Sequence, residues 1–428
     1  MGLSWVELGL VCIVISKEAC YLCSLRLGLF LSRSFDSYVS FLLSLSDYCT
    51  TLLHLPSLYL FPSFPLSFHA SCFLTEKMLE KHREAVIQLI SEAGFELAIP
   101  GNLEFEKIGS GSISCVFKVK LANEGSIVVK LTEKDASEIC SELHNREIEF
   151  YQWMNESNEE EEPKNSLKCP KYYGGCACKD EMGIILMEDF SSRLCNELSF
   201  LKGFKVELVL KIVRELAAIQ CAHLSSNSEL KNSLDRFDYS SGVRKCLPKI
   251  DTIEGITEEM RSKLHEWIEP VTLFKIQAEV PQEVQGISPT LIHCDLWQDN
   301  LIFCKNEDEI DLLSIIDWQC FKEGNPLLDI ASLLGLCMTT EDRRGYTSTA
   351  IWLYFDEMEK RKASFKKPFD LTIEKVRRML FHAQKWPCVQ LMTAVVTISE
   401  EERNESAAWA DEFEVLSARL PEMMKDAM

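Results

Sequence analysis

A chain of 428 residues with 46% hydrophobic and 26% charged residues has an ordinary globular composition and length enough for two or three compact units. Its formal net charge of -21 speaks against a nucleic-acid partner, because phosphate binding needs a clustered basic surface and Lys366-Lys367 and Arg377-Arg378 are isolated pairs. The 18 cysteines lack the dense spacing of a disulfide-stapled domain, and Cys169, Cys176 and Cys178 have no fourth ligand nearby, so reduced thiols and a cytoplasmic location are expected.

Residues 1–77 are rich in Leu, Ser, Phe and Cys, nearly free of charge and without sustained periodicity, and are expected to lie outside the working fold. Glu7 interrupts the first apolar run and Lys17-Glu18 closes it, which does not fit a signal peptide. The uncharged span from Tyr48 to Leu74 is long enough to cross a bilayer, but Pro56, Pro62 and Pro65 make it a weak candidate, and no membrane partner is expected. Met78 is the expected native start, with the leader an upstream extension of the reading frame.

From Met78 the pattern becomes regular, and residues 78–190 form the first expected unit. Leu79, Ala85, Val86, Leu89 and Ile90 make a helical stripe that Gly94 ends. A strand over Phe105–Ile108, a turn over Gly109, Ser110, Gly111, Ser112 and on to Ser114, and a returning strand over Cys115–Leu121 describe a hairpin whose glycines let the backbone approach a triphosphate. Ser126–Leu131 is an apolar strand carrying one lysine, Lys130, and a charge there must meet an anion or a partner. The next helix, about Ala136 to Met154, turns Ile139, Leu143, Phe150, Tyr151 and Met154 inward together with Glu147, the expected partner of Lys130. An acidic loop at 155–165 carries no catalytic signal. Two further strands end at Met187, Glu188, Asp189 and Phe190, a hinge whose backbone suits adenine.

Residues 191–428 turn helical. Val206, Val209, Leu210, Val213, Leu216 and Ala217 lie on one face of a long helix, and His223 at its end is expected to be packed, no carboxylate partner being evident. Within the run Leu291–Phe303, apolar pairs flank His293, Asp295 and Asn300, and Asp317 ends the next strand-like run. Polar groups on a short loop between buried segments are how chemistry is mounted on a rigid scaffold. Asp295 supplies a base, Asn300 and Asp317 supply hard oxygen ligands for Mg2+, and Lys130 supplies a cation for the phosphates of ATP. His293 is grouped with the catalytic set as a brace of the loop. Asn325 and Pro326 start another helix, from which Asp329 orients the loop. Trp352, Tyr354, Trp386 and Trp409 mark a helical tail from Thr340 that is expected to close the acceptor pocket, its rings packing in the core.

The segments His293-Cys-Asp-Leu-Trp-Gln-Asp-Asn300, Ile316-Asp-Trp-Gln319, Gly324-Asn-Pro-Leu-Leu-Asp329 and His144-Asn-Arg-Glu147 resemble the CHK kinase-like family. This group contains the ecdysteroid kinase-like proteins and a nematode branch, and is related to choline kinases and aminoglycoside phosphotransferases. The resemblance covers Met78 to the C-terminus. It implies an α+β, bilobal protein-kinase-like fold that uses ATP and Mg2+. With the site residues it leads to an expected transfer of the γ-phosphate to a hydroxyl of a small acceptor, which Trp297, Trp318 and the aromatic tail suggest is lipophilic or steroid-like. Cys294 stands where the family has glycine, and fits if its φ is negative. The alternative is a catalytically weak binding or scaffold protein. A protein kinase is a poorer match, since no Ala-Pro-Glu-like motif follows Asp317.

Overall fold

The computed structural model describes residues 76–98, 104–110, 114–123, 125–132, 138–156, 167–178, 182–195, 198, 201–227, 230, 243–307, 309–398 and 407–428. The leader up to residue 75, Gly111, Ser112 and most of the acidic loop lie outside them. Among the described residues no helix is long and apolar enough to cross a membrane.

Helix α1 (Glu76–Glu92) buries Val86 and Ile90 completely, each contributing about 1.5–3 kcal/mol by removal from water. Gly94, at φ 81°, ends it: its N–H bonds to the Ser91 carbonyl and the Phe95 N–H to the Ile90 carbonyl. That left-handed position is open to glycine without the Cβ penalty.

The apolar side of α1 rests on a sheet of order β1-β2-β3-β5-β4, with every pair antiparallel. Its strands are β1 (Phe105–Ser110), β2 (Ser114–Lys120), β3 (Ser126–Thr132), β4 (Tyr172–Cys176) and β5 (Gly183–Glu188). Gly109 and Ser110, expected in the turn, are the end of β1, where a register shift between Lys107 and Gly109 keeps them paired with β2. Period-two alternation splits β3 between two cores. Ile127, Val129 and Leu131 join α1, while Val128 shares the main core of the molecule with helix α2 (Glu138–Asn155). Lys130 has the parity of Val128, so its side chain emerges on the α2 side. Ile139, expected on the inner face of α2, is exposed: it is the second residue of a helix whose buried face starts at Cys140 and Leu143.

Beyond the hinge, α3 (Val206–Ser225) buries Val209, Val213, Leu216 and Ala217 as the spacing expects. Two short helices, α4 (Glu258–Trp267) and α5 (Pro270–Ala278), precede β6 (Thr290–Ile292), which pairs with β9 (Lys322–Gly324). Between them lies the hairpin of β7 (Leu301–Asn306) and β8 (Glu309–Ile315). Helix α6 (Leu328–Cys337) is buried at all ten positions, as a helix apolar on every side must be. It begins two residues later than a cap at Asn325 suggests, because Asn325 spends its side chain elsewhere, accepting from the Leu327 N–H and donating to the Met379 carbonyl. Helices α7 (Thr340–Arg361), α8 (Ile373–Ala383), α9 (Lys385–Thr397) and α10 (Ala407–Ala427) complete the chain.

A small antiparallel sheet with one crossing helix, joined by a hinge to a helical lobe that carries the loop between β6 and β7, is the α+β, bilobal protein-kinase-like fold.

Candidate active site

The loop after β6 is held by groups distant in sequence. The Asp329 carboxylate accepts the His293 N–H at 2.7 Å and the Cys294 N–H at 2.9 Å, the orienting part expected of it. His293 Nδ1 accepts the Asp295 N–H at 3.2 Å, so the ring proton sits on Nε2, which donates to the Ile316 carbonyl at 2.8 Å. Burial lowers the His293 pKa and keeps the ring neutral. With both nitrogens taken, His293 is a brace that joins the loop to the residue before Asp317, and proton transfer is not open to it.

Cys294 adopts φ 68°, so the condition of negative φ is not met. The left-handed turn costs a non-glycine residue about 1–2 kcal/mol, and the Asp329 bond to its N–H holds it in place. Burial pushes its thiol up to about 11, which makes it an unreactive sulfur.

Asp295 is buried, and Asn300 donates its amide N–H to the Asp295 carbonyl at 2.7 Å and to the carboxylate at 3.5 Å. Burial, then the charge of Asp317, pushes the Asp295 carboxyl up to about 7. Asp317 also has a left-handed backbone, φ 63° and ψ 53°, at the head of a single 3-10 turn. Lys130 reaches across from β3: its Nζ lies 2.6 Å from Glu147 Oε2 and 2.6 Å from Asp317 Oδ1. Burial works against the Lys130 charge, but Asp317 and Glu147 more than offset this and raise its pKa. Phe150 of α2 stacks on Trp318 with centroids 4.0 Å apart, locking the helix against the Asp317 segment.

The hinge residues divide. Met187 is buried with its backbone in the β3–β5 ladder. The Glu188 side chain pairs with Arg193, and its N–H is given to the Lys171 carbonyl. Asp189 is occupied by Ser126, Ser191 and Lys118. The side chains of Glu188 and Asp189 are therefore braces of the hinge. Gly109 and Ser110 are strand residues: Gly109 pairs with Val116 of β2, which in turn pairs with Lys130 of β3.

A divalent cation suits the donors present. Asn300, Asp317 and Asp295 all offer oxygen atoms, and the Asp295 carboxyl, raised by burial and then by the charge of Asp317, lies within electrostatic reach of Asp317. Among the described residues no set of three His, Cys, Asp or Glu is assembled as a cage. Mg2+ uses one or two protein oxygens with substrate phosphates, and needs no cage.

Gln390 of α9 carries no sequence signal, and the sequence names Trp386 of α9, Arg146 and Gln319 only within a tail or a motif, without their contacts. Gln390 lies beside the Asp295 carboxylate. The Trp386 N–H donates to the Cys294 carbonyl. His223 does have a carboxylate partner, Glu323 at 3.0 Å, which no local pattern announces from 100 residues away.

Compared with known proteins, residues 106–427 match the family model described as "Uncharacterized oxidoreductase dhs-27" (DUF1679), which bears out the CHK kinase-like resemblance. A 4-hydroxytryptamine kinase of Psilocybe cyanescens is 38% identical over 61 residues, 14% of this chain and 17% of that protein's length. Choline kinase from Cryptosporidium parvum Iowa II aligns over 80% of this chain and 95% of its own at 15% identity, TM-score 0.45. Macrolide 2'-phosphotransferase MphH from Brachybacterium faecium aligns over 79% and 98% at 12% identity, TM-score 0.39.

Proposed function

The chain belongs to the dhs-27-like family, and from that premise and the geometry of its own site we propose that it is an ATP- and Mg2+-dependent phosphotransferase acting on a hydroxyl of a small molecule. The observation that carries this reading is Lys130, held 2.6 Å from both Glu147 and Asp317, with Asp317 in turn close enough to act on the Asp295 carboxyl. A buried lysine between two carboxylates has the charge and position to meet phosphate oxygens. The family's descriptive name speaks of an oxidoreductase. The sheets among the described residues are antiparallel throughout, without the parallel βαβ unit that binds dinucleotides.

The mechanism follows from the residues. The hinge backbone past the ladder, at Asp189 and Phe190, would hold the adenine, and the end of β1 at Gly109 and Ser110 would border the phosphates. Lys130, kept charged by its two partners, binds the phosphate chain. Asp295, a carboxylate of raised basicity, accepts or orients the proton of the attacking hydroxyl. Asn300 and Asp317 would hold magnesium, which would neutralise charge on the phosphates. His293 and Asp329 keep the loop in register. The acceptor is proposed by its hydroxyl alone: Trp297 and Trp318, which pointed to a lipophilic or steroid-like molecule, are 5% and 1% exposed and belong to the core. Free cysteines such as Cys294, Cys337 and Cys388 support action in the cytoplasm.

The test is a thermal shift of the purified chain with ATP, with and without magnesium, followed by transfer of labelled γ-phosphate into a metabolite extract. A magnesium-dependent shift and a labelled small molecule are expected. No shift with ATP overturns the enzyme in favour of the binding or scaffold protein.

A further inference from the structure

We infer that Arg146 and Gln319 are positioning residues for the Asp317 carboxylate, forming a second arm by which α2 holds it; the inference deepens the phosphotransfer reading and rests on it. The first arm is Glu147 to Lys130 to Asp317 Oδ1. The second passes through the 3-10 turn. Arg146, one residue before Glu147 and 5% exposed, donates Nε–H to the Gln319 carbonyl at 3.3 Å and an Nη2–H to the Phe321 carbonyl, with its guanidinium 5.0 Å from the Phe321 ring centroid. Gln319 in turn donates Nε2–H to Asp317 Oδ2 at 3.2 Å.

The direction of that last bond is settled by chemistry. Turning the amide round would set Oε1 against a carboxylate oxygen, two acceptors in contact. Oε1 of Gln319 is buried without a hydrogen-bond partner, so the amide keeps its orientation at the expense of an unsatisfied acceptor. Successive residues of a helix point about 100° apart, which lets one helix reach two neighbours: β3 through Glu147, and the turn after Asp317 through Arg146.

The consequence is a carboxylate whose plane is set in advance. A carboxylate offers about four lone-pair directions, and the two arms take one on each oxygen. What remains is fixed in direction before a cation arrives. The left-handed backbone of Asp317 is the kind of strained conformation that persists only when its surroundings over-determine it. Without the Gln319 bond, Oδ2 is released and the carboxylate turns about χ2, a broad torsion, while Lys130 still holds Oδ1.

The experiment is calorimetric titration of the full chain with ADP, in magnesium and in EDTA, for the wild type, Gln319→Leu, Arg146→Met and Arg146→Lys. Gln319→Leu removes the donor and keeps the bulk. It is expected to weaken magnesium-dependent ADP binding about tenfold, the worth of one hydrogen bond to a charged group, and to leave binding in EDTA within about twofold. Arg146→Met is expected to shift the same quantity in the same direction, with Arg146→Lys recovering part of it; where Arg146→Met does not fold, Gln319→Leu decides alone. Unchanged magnesium-dependent binding in Gln319→Leu, or an equal loss in EDTA, overturns the positioning role and leaves the phosphotransfer reading standing. A wild type without magnesium-dependent ADP binding overturns that reading, and the inference with it.

Discussion

Trp386 of α9 donates its indole N–H to the carbonyl oxygen of Cys294, 3.2 Å away, tying the C-terminal helices to the loop that carries Asp295. Cys294 itself gives its backbone N–H to Asp329. A left-handed cysteine is thus held at both of its peptide groups, and the loop's shape depends on elements 35 and 92 residues further along the chain.

The strain at Cys294 can be measured by comparing Cys294→Gly with Cys294→Ala. In an ordinary position alanine is the more stable by about 0.4–1 kcal/mol, because glycine has more freedom to lose on folding. At φ 68° the order reverses, since the Cβ penalty of about 1–2 kcal/mol outweighs that gain. Chemical denaturation is expected to find the glycine variant more stable than the alanine variant by about 1 kcal/mol. The opposite order would mean that the left-handed turn relaxes on substitution.

Asp295→Asn keeps the shape of the loop and removes the base. Turnover is expected to fall by about 10²–10⁴-fold, the usual contribution of a positioned base, with ATP affinity nearly unchanged by titration. Unchanged turnover would take Asp295 out of the proton's path.

Removing Lys130 leaves Glu147, 1% exposed, and Asp317 facing each other without a cation. Lys130→Met is expected to destabilise the fold by about 3–5 kcal/mol, the cost of breaking a buried pair from one side. Lys130→Met combined with Glu147→Gln removes one of the two orphaned charges and recovers part of that loss. Urea unfolding of the single and double variants measures both, and an additive double variant would show that the charges do not interact.

Glu323 provides the pH dependence. Its hydrogen bond to His223, then that to Lys367, outweighs burial and pulls its carboxyl down to about 2. A depressed carboxyl contributes stability that is complete above its unfolded value of about 4.5 and is lost as pH falls toward 2. With the side chain 37% exposed, solvent screening limits this to about 1 kcal/mol. Glu323→Gln is therefore expected to unfold at lower urea than the wild type at pH 7, and the gap is expected to narrow between pH 4.5 and 3. A gap independent of pH would assign the loss to packing.

Much of the fold was legible because its signals are local. The stripe of Val86 and Ile90, the alternation in β3 that turns Lys130 and Val128 to one side, and the spacing of Asp295 and Asn300 repeat with the geometry of a helix, a strand or a tight loop. Glu147 was legible too, because helical spacing put it on the face of Leu143 and Phe150. Boundaries were not: Gly109 and Ser110 extend β1 through a bulge, and Asn325 serves a turn before α6 instead of capping it. Glu188 and Asp189 look like ligands at a hinge until Arg193, Lys118 and two serines claim their side chains.

By itself the sequence determined where the strands, the inward helix and the loop between β6 and β7 lie, since each depends on neighbours within a few residues. Only the tertiary structure decided that Lys130 is shared between Glu147 and Asp317, 17 and 187 residues away, and that His223 finds Glu323. It alone decided that Cys294 and Asp317 are left-handed. Those outcomes depend on which distant groups burial leaves in contact, and a buried charge or a strained φ persists only where such contacts compensate it.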